Sequence, residues 1–267
     1  ILMGHDRRKL WVLLSLGLNL GLLGFFKYAD FAVKNLNGIL RWAGADLALA
    51  QPDIILPVGI SFFTFQSLSY TLDVYRGSLK VERSLIRFAT FVSLFPQLVA
   101  GPIERASNLL PQLCGNPPVR RQDVTEGLSH FLVGFFKKVA LADYLAAYAD
   151  RVYGDPASFQ GPALMLATFA FGWQIYFDFS GYTDMARGLA QMMGFRLRLN
   201  FRNPYTAPGL GDFWGRWHIS LSTWFKDYLY YPLGGSRGGP LATYRNMFVT
   251  MLVSGLWTGA AWTFVAW

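Results

Sequence analysis

The sequence predicts an all-α, polytopic membrane protein, and three observations lead to that prediction. Of its 267 residues, 53% are hydrophobic and only 15% are charged, whereas soluble domains contain about 25% charged residues. Three uncharged runs of 17 to 21 residues match the length of about 20 residues that a membrane-spanning helix needs. Basic residues stand in short clusters beside apolar runs. A soluble protein with a large buried core is the alternative, but soluble chains rarely contain uncharged runs of this length.

The three uncharged runs are the firmest predicted spans: Leu10–Phe26, Ile54–Leu72 and Met247–Trp267. Four further apolar segments each carry a charge, a proline or a small-residue kink: Phe31–Ala50, Phe88–Ile103, Gly127–Tyr148 and Pro162–Phe179. We therefore expect about seven membrane-embedded helices, some of them re-entrant, in one membrane domain over residues 1–267. Because the chain begins at Ile1 and its last apolar run stops at Trp267, we expect a fragment truncated at both ends.

The net charge of +8 does not indicate a nucleic-acid partner, because the basic clusters flank apolar runs as the cytoplasmic ends of membrane spans do. The cluster Arg7–Lys9 precedes the first span, which predicts that this end of the span lies in the cytoplasm. The chain has a single cysteine, Cys114, and three widely separated histidines. These exclude an internal disulfide and a thiolate metal site, and we expect no bound metal.

The segment Asp212–Gly235, here called the aromatic segment, combines a histidine, both signs of charge and many aromatic rings. Wound as one helix, it places its large apolar side chains on one arc: Trp214, Trp217, Leu221, Trp224, Phe225 and Tyr228. His218 lies at the edge of that arc. Such a helix suits the boundary between lipid and water. A neutral imidazole is a common general base, and a purely structural histidine is the alternative that the sequence leaves equally open.

Three other segments carry candidate chemistry. Asp178 follows an apolar run, and a carboxylate at membrane depth is a functional candidate; alternatively it caps a helix that ends at Ser180, with Asp184 paired to Arg187. The prolines and glycine of Pro96–Arg105 predict a broken segment without a catalytic role. In the last span, small residues permit close helix packing, and the Thr258 hydroxyl is expected to bond back to its own helix. The glycine-rich segment after the aromatic segment favours a flexible loop over a phosphate cradle.

Six motifs, in order along the chain, closely resemble the membrane-bound O-acyltransferase family: ILPVGISFFTFQSLSYTLDVYRG, FPQLVAGPIER, WQIYFDFSGYTDMARGLA, NFRNPY, FWGRWHISLSTWFKDYLYYPLGG and GLWTGAAW. The resemblance covers the chain from about Ile54 to its end. It is nearest to the bacterial alginate O-acetyltransferase branch, and the D-alanyl transfer proteins of teichoic acid synthesis are more distant cousins.

The resemblance implies a helical bundle with re-entrant segments around a transmembrane funnel, in a multi-pass protein of the bacterial inner membrane. It implies transfer of an acetyl group from a cytoplasmic thioester, such as acetyl-CoA, to a hydroxyl of an exported polysaccharide or cell-envelope polymer. An exported partner acetyltransferase is a further expected partner, and no bound cofactor is expected. The resemblance assigns His218 to catalysis and five further residues to substrate binding: Asp178, Ser180, Asn203, Arg216 and Trp217.

One position departs from the resemblance. The family's final motif reads LWHG with a catalytic histidine, and here that position is Thr258. A threonine hydroxyl is no base at neutral pH, although it can donate a hydrogen bond to a developing oxyanion. We therefore predict His218 and Thr258 as the catalytic pair. The alternatives are a catalytically impaired scaffold or acyl relay, and a polytopic transporter, which would also place Asp178 in the membrane.

Overall fold

A computed structural model describes residues 5–99, 101–115 and 117–266, and every regular element in these ranges is helical. Along the chain the α-helices are α1 (His5–Leu23), α2 (Ala29–Trp42), α3 (Ile60–Tyr75), α4 (Leu85–Ser93), α5 (Phe95–Leu98), α6 (Ala106–Gly115), α7 (Arg121–Phe136), α8 (Asp143–Gly154), α9 (Gly161–Met192), α10 (Leu210–Arg216), α11 (Ile219–Phe225), α12 (Gly239–Thr258) and α13 (Trp262–Ala266). The chain divides into two compact units: unit 1 comprises Ile1–Arg83 and Leu221–Trp267, and unit 2 comprises Ser84–Ser220.

The first helix of unit 1 is long enough to cross a membrane. A π-helical turn, Gly24–Tyr28, joins α1 to α2, and the resulting helix runs from Arg7 to Trp42 over 36 residues. Its most apolar stretch is only 6% buried by the rest of the protein, as expected for a helix whose surface contacts lipid. No other helix among the described residues meets the same criteria of length and hydropathy, so the expected number of spans stays a prediction.

Several predicted boundaries are wrong, and each error has a local cause. Leu10–Phe26 and Phe31–Ala50 are not separate, because a charged residue such as Lys27 does not end a helix. Helix α3 starts at Ile60, since Gly59 adopts a left-handed φ of 78°. The last predicted span begins earlier, at Gly239, and ends at Thr258, where Gly259 is extended; its final residue, Trp267, lies outside the described residues.

The remaining predicted spans agree to different degrees with the helices of the structure. The segment Phe88–Ile103 is broken, as predicted: α4 ends at Ser93, and Pro96 occupies the first turn of the short helix α5. Helices α7 and α8 join through the π-helical turn Lys137–Ala142, so the predicted Gly127–Tyr148 lies within one helical run. Helix α9 continues to Met192. The prediction that Asp178 caps a helix ending near Ser180 is therefore wrong.

Two pairs of glycines bring α7 and α9 into backbone contact in unit 2. A Cβ atom added to Gly134 would lie 2.4 Å from the carbonyl oxygen of Gly181, and one added to Gly188 would lie 2.4 Å from that of Gly127. The glycines are seven residues apart on each helix and pair in antiparallel order, as residues on one helical face do. This glycine seam fixes the position of α9 relative to α7, and α9 carries two of the predicted site residues, Asp178 and Ser180.

We expect Gly181→Ala to destabilise unit 2, because its Cβ would lie 2.7 Å from the Gly134 carbonyl oxygen. Overpacking of this kind costs about 1–3 kcal/mol, which exceeds the gain of about 1 kcal/mol from replacing a helical glycine. Thermal unfolding of the full-length protein in detergent measures the effect. Gly172→Ala on the same helix is the matched control, since its nearest neighbouring atom is 3.9 Å away. Equal melting temperatures for the two variants would contradict the role of the seam.

Candidate functional site

The aromatic segment was predicted to form one helix, and that prediction is wrong, because the helix is broken at His218. Helix α10 ends at Arg216, Trp217 is extended with φ −96° and ψ 129°, and His218 has a left-handed φ of 40°. A positive φ is strained for a residue other than glycine and often marks a functional site. The rings of Trp224 and Phe225, predicted to face the membrane boundary, are instead buried, with 7% and 3% exposure.

Asn200, in the segment that precedes α10, stabilises this break by hydrogen bonds. It is fully buried, and its side-chain Oδ1 accepts hydrogen bonds from the backbone N–H of Ser220 at 3.1 Å and from the Ser220 hydroxyl at 2.9 Å. Its backbone carbonyl accepts the N–H of Ile219 at 2.9 Å. These bonds satisfy N–H groups at the start of α11 that a continuous helix would have satisfied internally. We call this arrangement the Asn200 clasp; Asn200 is not among the site residues that the sequence predicts.

The segment that carries Asn200 also binds the end of α10. The N–H of Arg202 donates to the carbonyl of Arg216 at 2.9 Å, and the Arg216 guanidinium contacts Thr206 at 3.1 Å and Asp212 at 2.7 Å. Asn203 has a left-handed φ of 44° and starts the short 3₁₀ turn Pro204–Thr206. Two predicted site residues, Asn203 and His218, thus have strained backbone conformations. They lie in two neighbouring segments that the Arg202–Arg216 hydrogen bond joins.

Aromatic rings surround His218 in unit 2. The imidazole contacts Phe179 edge-on, with ring centroids 4.6 Å apart, and stacks near Phe201 at 6.4 Å. Trp217 packs edge-on against Phe201, with ring centroids 5.1 Å apart. Further rings extend this wall: Trp173, Tyr176, Tyr205 and Phe213. The wall replaces water beside the imidazole with apolar surface.

The imidazole of His218 presents an unused polar atom inside this wall. His218 as a whole residue is half-buried, but its Nε2 atom is inaccessible to solvent and has no hydrogen-bond partner among the described residues. Burial lowers the pKa of His218 to about 3, so the ring is neutral at physiological pH. A neutral imidazole with a free ring nitrogen can accept or donate a proton or hydrogen bond at that atom.

Other buried polar atoms in unit 2 also lack partners among the described residues. They are Gln97 Oε1, Gln174 Oε1, Ser180 Oγ, Arg187 Nε and Asn200 Nδ2. Buried polar groups are normally hydrogen-bonded, and exceptions often belong to functional sites. Among the predicted substrate-binding residues, Ser180 belongs to this set: it is only 2% exposed.

Asp178, by contrast, already forms an ion pair. Its carboxylate lies 2.6 Å from Lys138 Nζ, which also contacts Asp143 at 2.8 Å. Nearly two turns further along α9, Asp184 pairs with Lys137 at 2.7 Å, and the predicted pair with Arg187 is present at 3.7 Å. Asp178 thus helps to fasten α9 to the π-helical turn after α7. The structure gives it this partner and no contact with His218.

The broken segment after α5 supports the same site. The N–H of Ile103 donates to the Ser220 hydroxyl at 2.9 Å, so this segment reaches the Asn200 clasp. The neighbouring Glu104 is fully buried and accepts hydrogen bonds from Asn108 at 2.6 Å and from the N–H of Arg198. Burial raises the pKa of the Glu104 carboxyl, and these hydrogen bonds partly offset the rise. The segment predicted to have no catalytic role is therefore a support for the site.

Thr258 lies in unit 1, at the last residue of α12. Its hydroxyl donates to the carbonyl of Ser254 at 2.9 Å, as the sequence predicted, and donation to an oxyanion would require giving up this bond. The preceding carbonyls also have partners, because Lys27 donates to Trp257 and Tyr28 donates to Leu256. The end of α12 is thus bound to the π-helical turn of the first helix, and cations suit the negative end of a helix dipole.

Comparison with known proteins gives a consistent result. The model of the membrane-bound O-acyltransferase (MBOAT) family matches residues 78–267. The chain is 48% identical over 257 residues to a probable alginate O-acetylase AlgI of Pseudomonas putida, which covers 96% of this chain and 52% of that protein.

Two further relatives differ in the acceptor that their names give. The chain is 38% identical over 286 residues to a peptidoglycan O-acetyltransferase of Helicobacter pylori, over 97% of this chain and 53% of that protein. It is 31% identical over 185 residues to a teichoic acid D-alanyltransferase of Bacillus subtilis, over 67% of this chain and 46% of that protein. The chain spans about half the length of the curated relatives it matches.

We expect Asn200→Ala to loosen the break at His218. Removal of Oδ1 leaves the Ser220 N–H without its cap, and loss of such a cap costs about 1–2 kcal/mol. Amide hydrogen exchange at Ser220 in the full-length protein should therefore accelerate about tenfold. Asn203→Gly, which keeps the left-handed backbone of the same segment, is the matched control and should leave this amide unchanged. Unaltered exchange at Ser220 in Asn200→Ala would show that the clasp does not hold the break.

Proposed function

We propose that this chain, which belongs to the membrane-bound O-acyltransferase family, forms the membrane-embedded transfer site of an O-acetyltransferase in the bacterial inner membrane. In this proposal an acetyl group passes from a cytoplasmic thioester, such as acetyl-CoA, to a hydroxyl of an exported polysaccharide or cell-envelope polymer. The observation that carries the proposal is His218, a strained histidine whose buried Nε2 is free within a wall of aromatic rings. The relatives act, by their names, on alginate, peptidoglycan and teichoic acid.

His218 is the proposed general base. Transfer of an acetyl group to an alcohol requires a group that takes the hydroxyl proton as the oxygen attacks the thioester carbonyl. A neutral Nε2 without a competing donor meets that requirement, and it can return the proton to the thiolate that leaves as the ester forms. The positive φ sets the direction in which the Cα–Cβ bond leaves the backbone. The lowered pKa of His218 keeps the resting ring unprotonated, but it also makes Nε2 a weaker base than a solvent-exposed imidazole.

The aromatic wall has a separate proposed role, which is to exclude water. Water inside the site would hydrolyse the thioester in place of the acceptor, and its removal also strengthens polar interactions there. Attack on the thioester carbonyl also produces a tetrahedral intermediate, and a hydrogen-bond donor stabilises the oxyanion of that intermediate. Ser180 has a buried hydroxyl without a partner among the described residues and is our candidate for that donor. Arg216, Trp217, Asn203 and Asp178 remain proposed substrate-binding or positioning residues.

A catalytically impaired scaffold or acyl relay is the second candidate function. It is favoured by Thr258, because this hydroxyl is already bonded to its own helix and is not a base. In that case the chain would pass acyl groups to an exported partner acetyltransferase, which is also a possible partner of an active enzyme. The two candidates differ in whether the chain itself transfers acetyl groups.

His218→Ala tests the proposed base. We expect acetyl transfer from a labelled acetyl thioester, measured in membranes that contain the full-length protein, to fall about 10²- to 10⁴-fold, the typical contribution of a general base. His130→Ala is the matched control, since His130 lies on an exposed part of α7. Transfer at the wild-type rate in His218→Ala would rule out this role.

Thr258→His tests the second catalytic position. Because an imidazole at this exposed residue would add a second base, we expect acetyl transfer to rise by about tenfold or more. Thr243→His is the matched control, because Thr243 makes the same hydroxyl-to-backbone bond earlier in α12. Unchanged transfer in Thr258→His would show that this position does not contribute in this chain.

A further inference from the structure

Lys27 is a charged residue inside the helix that is long enough to cross a membrane. It belongs to the π-helical turn Gly24–Tyr28 between α1 and α2, and such turns are frequent at functional sites. A charged side chain within a membrane-spanning segment is costly, and it usually faces the protein interior and serves a function. The proposed base and the aromatic wall, both in unit 2, leave Lys27 without a role.

The ammonium group of Lys27 points into unit 1, where its described partners are neutral oxygens. Nζ donates to the Ser61 hydroxyl at 3.3 Å and to the backbone carbonyl of Trp257. The next carboxylate along the helix, Asp30, accepts the N–H of Asp53 at 3.2 Å instead. These contacts satisfy hydrogen-bond donors of Lys27 but leave its positive charge uncancelled.

Two helix dipoles of opposite sign end beside Lys27. Helix α12 ends at Thr258, and the last carbonyls of a helix carry a negative partial charge of about half an elementary charge. Helix α3 begins at Ile60, and the start of a helix carries a positive partial charge of about the same size. Because these partial charges oppose each other, the full charge of Lys27 decides the sign of the electrostatic potential here.

This potential acts on position 258. Thr258 is exposed and directly follows Trp257, whose carbonyl accepts the hydrogen bond from Lys27. At an effective dielectric constant of about 20, a unit charge about 7 Å from another changes an equilibrium by tenfold or more. A charged group that forms beside Thr258 is therefore sensitive to the charge of Lys27.

Acyl transfer from a thioester creates negative charge in two steps. When the acceptor oxygen bonds to the thioester carbon, the carbonyl electron pair moves onto its oxygen and forms an oxyanion. When the C–S bond then breaks, its electron pair leaves with the sulfur, and the resulting thiolate takes up the proton that the acceptor hydroxyl gave to the base. A fixed positive charge nearby stabilises both anions.

We propose that Lys27 is a positioning residue of the transfer reaction, which acts through the end of α12. Its charge turns the negative potential of this helix end into a positive one, so that an anion can form beside position 258. The proposal rests on the proposed function, in which Thr258 is the second catalytic position. It assigns an electrostatic role to a residue that the sequence pattern did not single out.

An imidazole introduced by Thr258→His reports the potential at this position without any acetyl transfer. Its half-protonation pH is measured by nuclear magnetic resonance of histidine-labelled full-length protein in nanodiscs, and the parent protein identifies the signals of the other histidines. A nearby positive charge disfavours the protonated imidazole. Lys27→Met should therefore raise the half-protonation pH by about one unit, and Lys27→Arg should leave it unchanged. Lys27→Gln, which keeps an N–H donor without the charge, should give the same rise as Lys27→Met.

Tyr28→Phe is the matched control for a purely structural effect. The Tyr28 hydroxyl donates to the carbonyl of Leu256, so this variant also removes a hydrogen bond from the end of α12 but removes no charge. It should leave the half-protonation pH unchanged. An equal rise in Tyr28→Phe would overturn the proposal, because the rise would then come from disorder of the helix end. An unchanged value in both Lys27→Met and Lys27→Gln would overturn it as well.

Acetyl transfer is measured separately in the same nanodiscs, with Thr258 in place and a saturating acetyl thioester. We expect Lys27→Met to lower kcat about tenfold with little change in KM, and Lys27→Arg to retain most of the activity. A rise in the half-protonation pH in a protein whose wild type transfers no acetyl groups would reject the proposed function and support the electrostatic assignment of Lys27. Wild-type transfer with an unchanged kcat in Lys27→Met would overturn the role of Lys27 and leave the proposed function in place.

Discussion

The site in unit 2 depends on one constraint, the Asn200 clasp. A helix that ran unbroken from Leu210 to Phe225 would satisfy its own backbone and would give His218 an ordinary helical conformation. The clasp replaces those internal hydrogen bonds with bonds to the Asn200 side chain and backbone. The chain can then take up a positive φ at His218 without leaving buried N–H groups unpaired. The strained backbone at His218 is thus stabilised by this local exchange of hydrogen bonds.

The rest of unit 2 holds the partners of the clasp in position. Glycine pairs set the distance between α7 and α9, and the lysines of the π-helical turn are paired with carboxylates on α9. Helix α9 in turn supplies Phe179 to the imidazole. The broken segment after α5 adds a bond to Ser220. Close packing and ion pairs thus act on the same helix, and Asp178, which the sequence predicts to bind substrate, also helps to fasten α9.

The sequence predicted the helical class, the broken segment at Pro96 and the back-bonded Thr258, because each depends on composition or on local residue type. It did not predict the break at His218, since residues 212–225 have a regular helical pattern and the reason for the break lies in Asn200. The same is true of the glycine seam, in which the paired residues are far apart in the sequence: Gly134 pairs with Gly181, and Gly127 with Gly188. Long-range hydrogen bonds and backbone contacts of this kind leave no periodic signal in the sequence. The hydrogen bond between the buried Glu104 and the distant Arg198 was not predicted for the same reason.

A double-mutant cycle between Asn200 and His218, with acetyl transfer as the measurement, tests most directly whether the clasp acts through the histidine. If Asn200 serves to position His218, Asn200→Ala should lower transfer in the wild-type background and should have no further effect once His218 is replaced by alanine. The two losses would then be strongly non-additive. Additive losses of free energy would contradict the account, because they would show that Asn200 and His218 contribute independently.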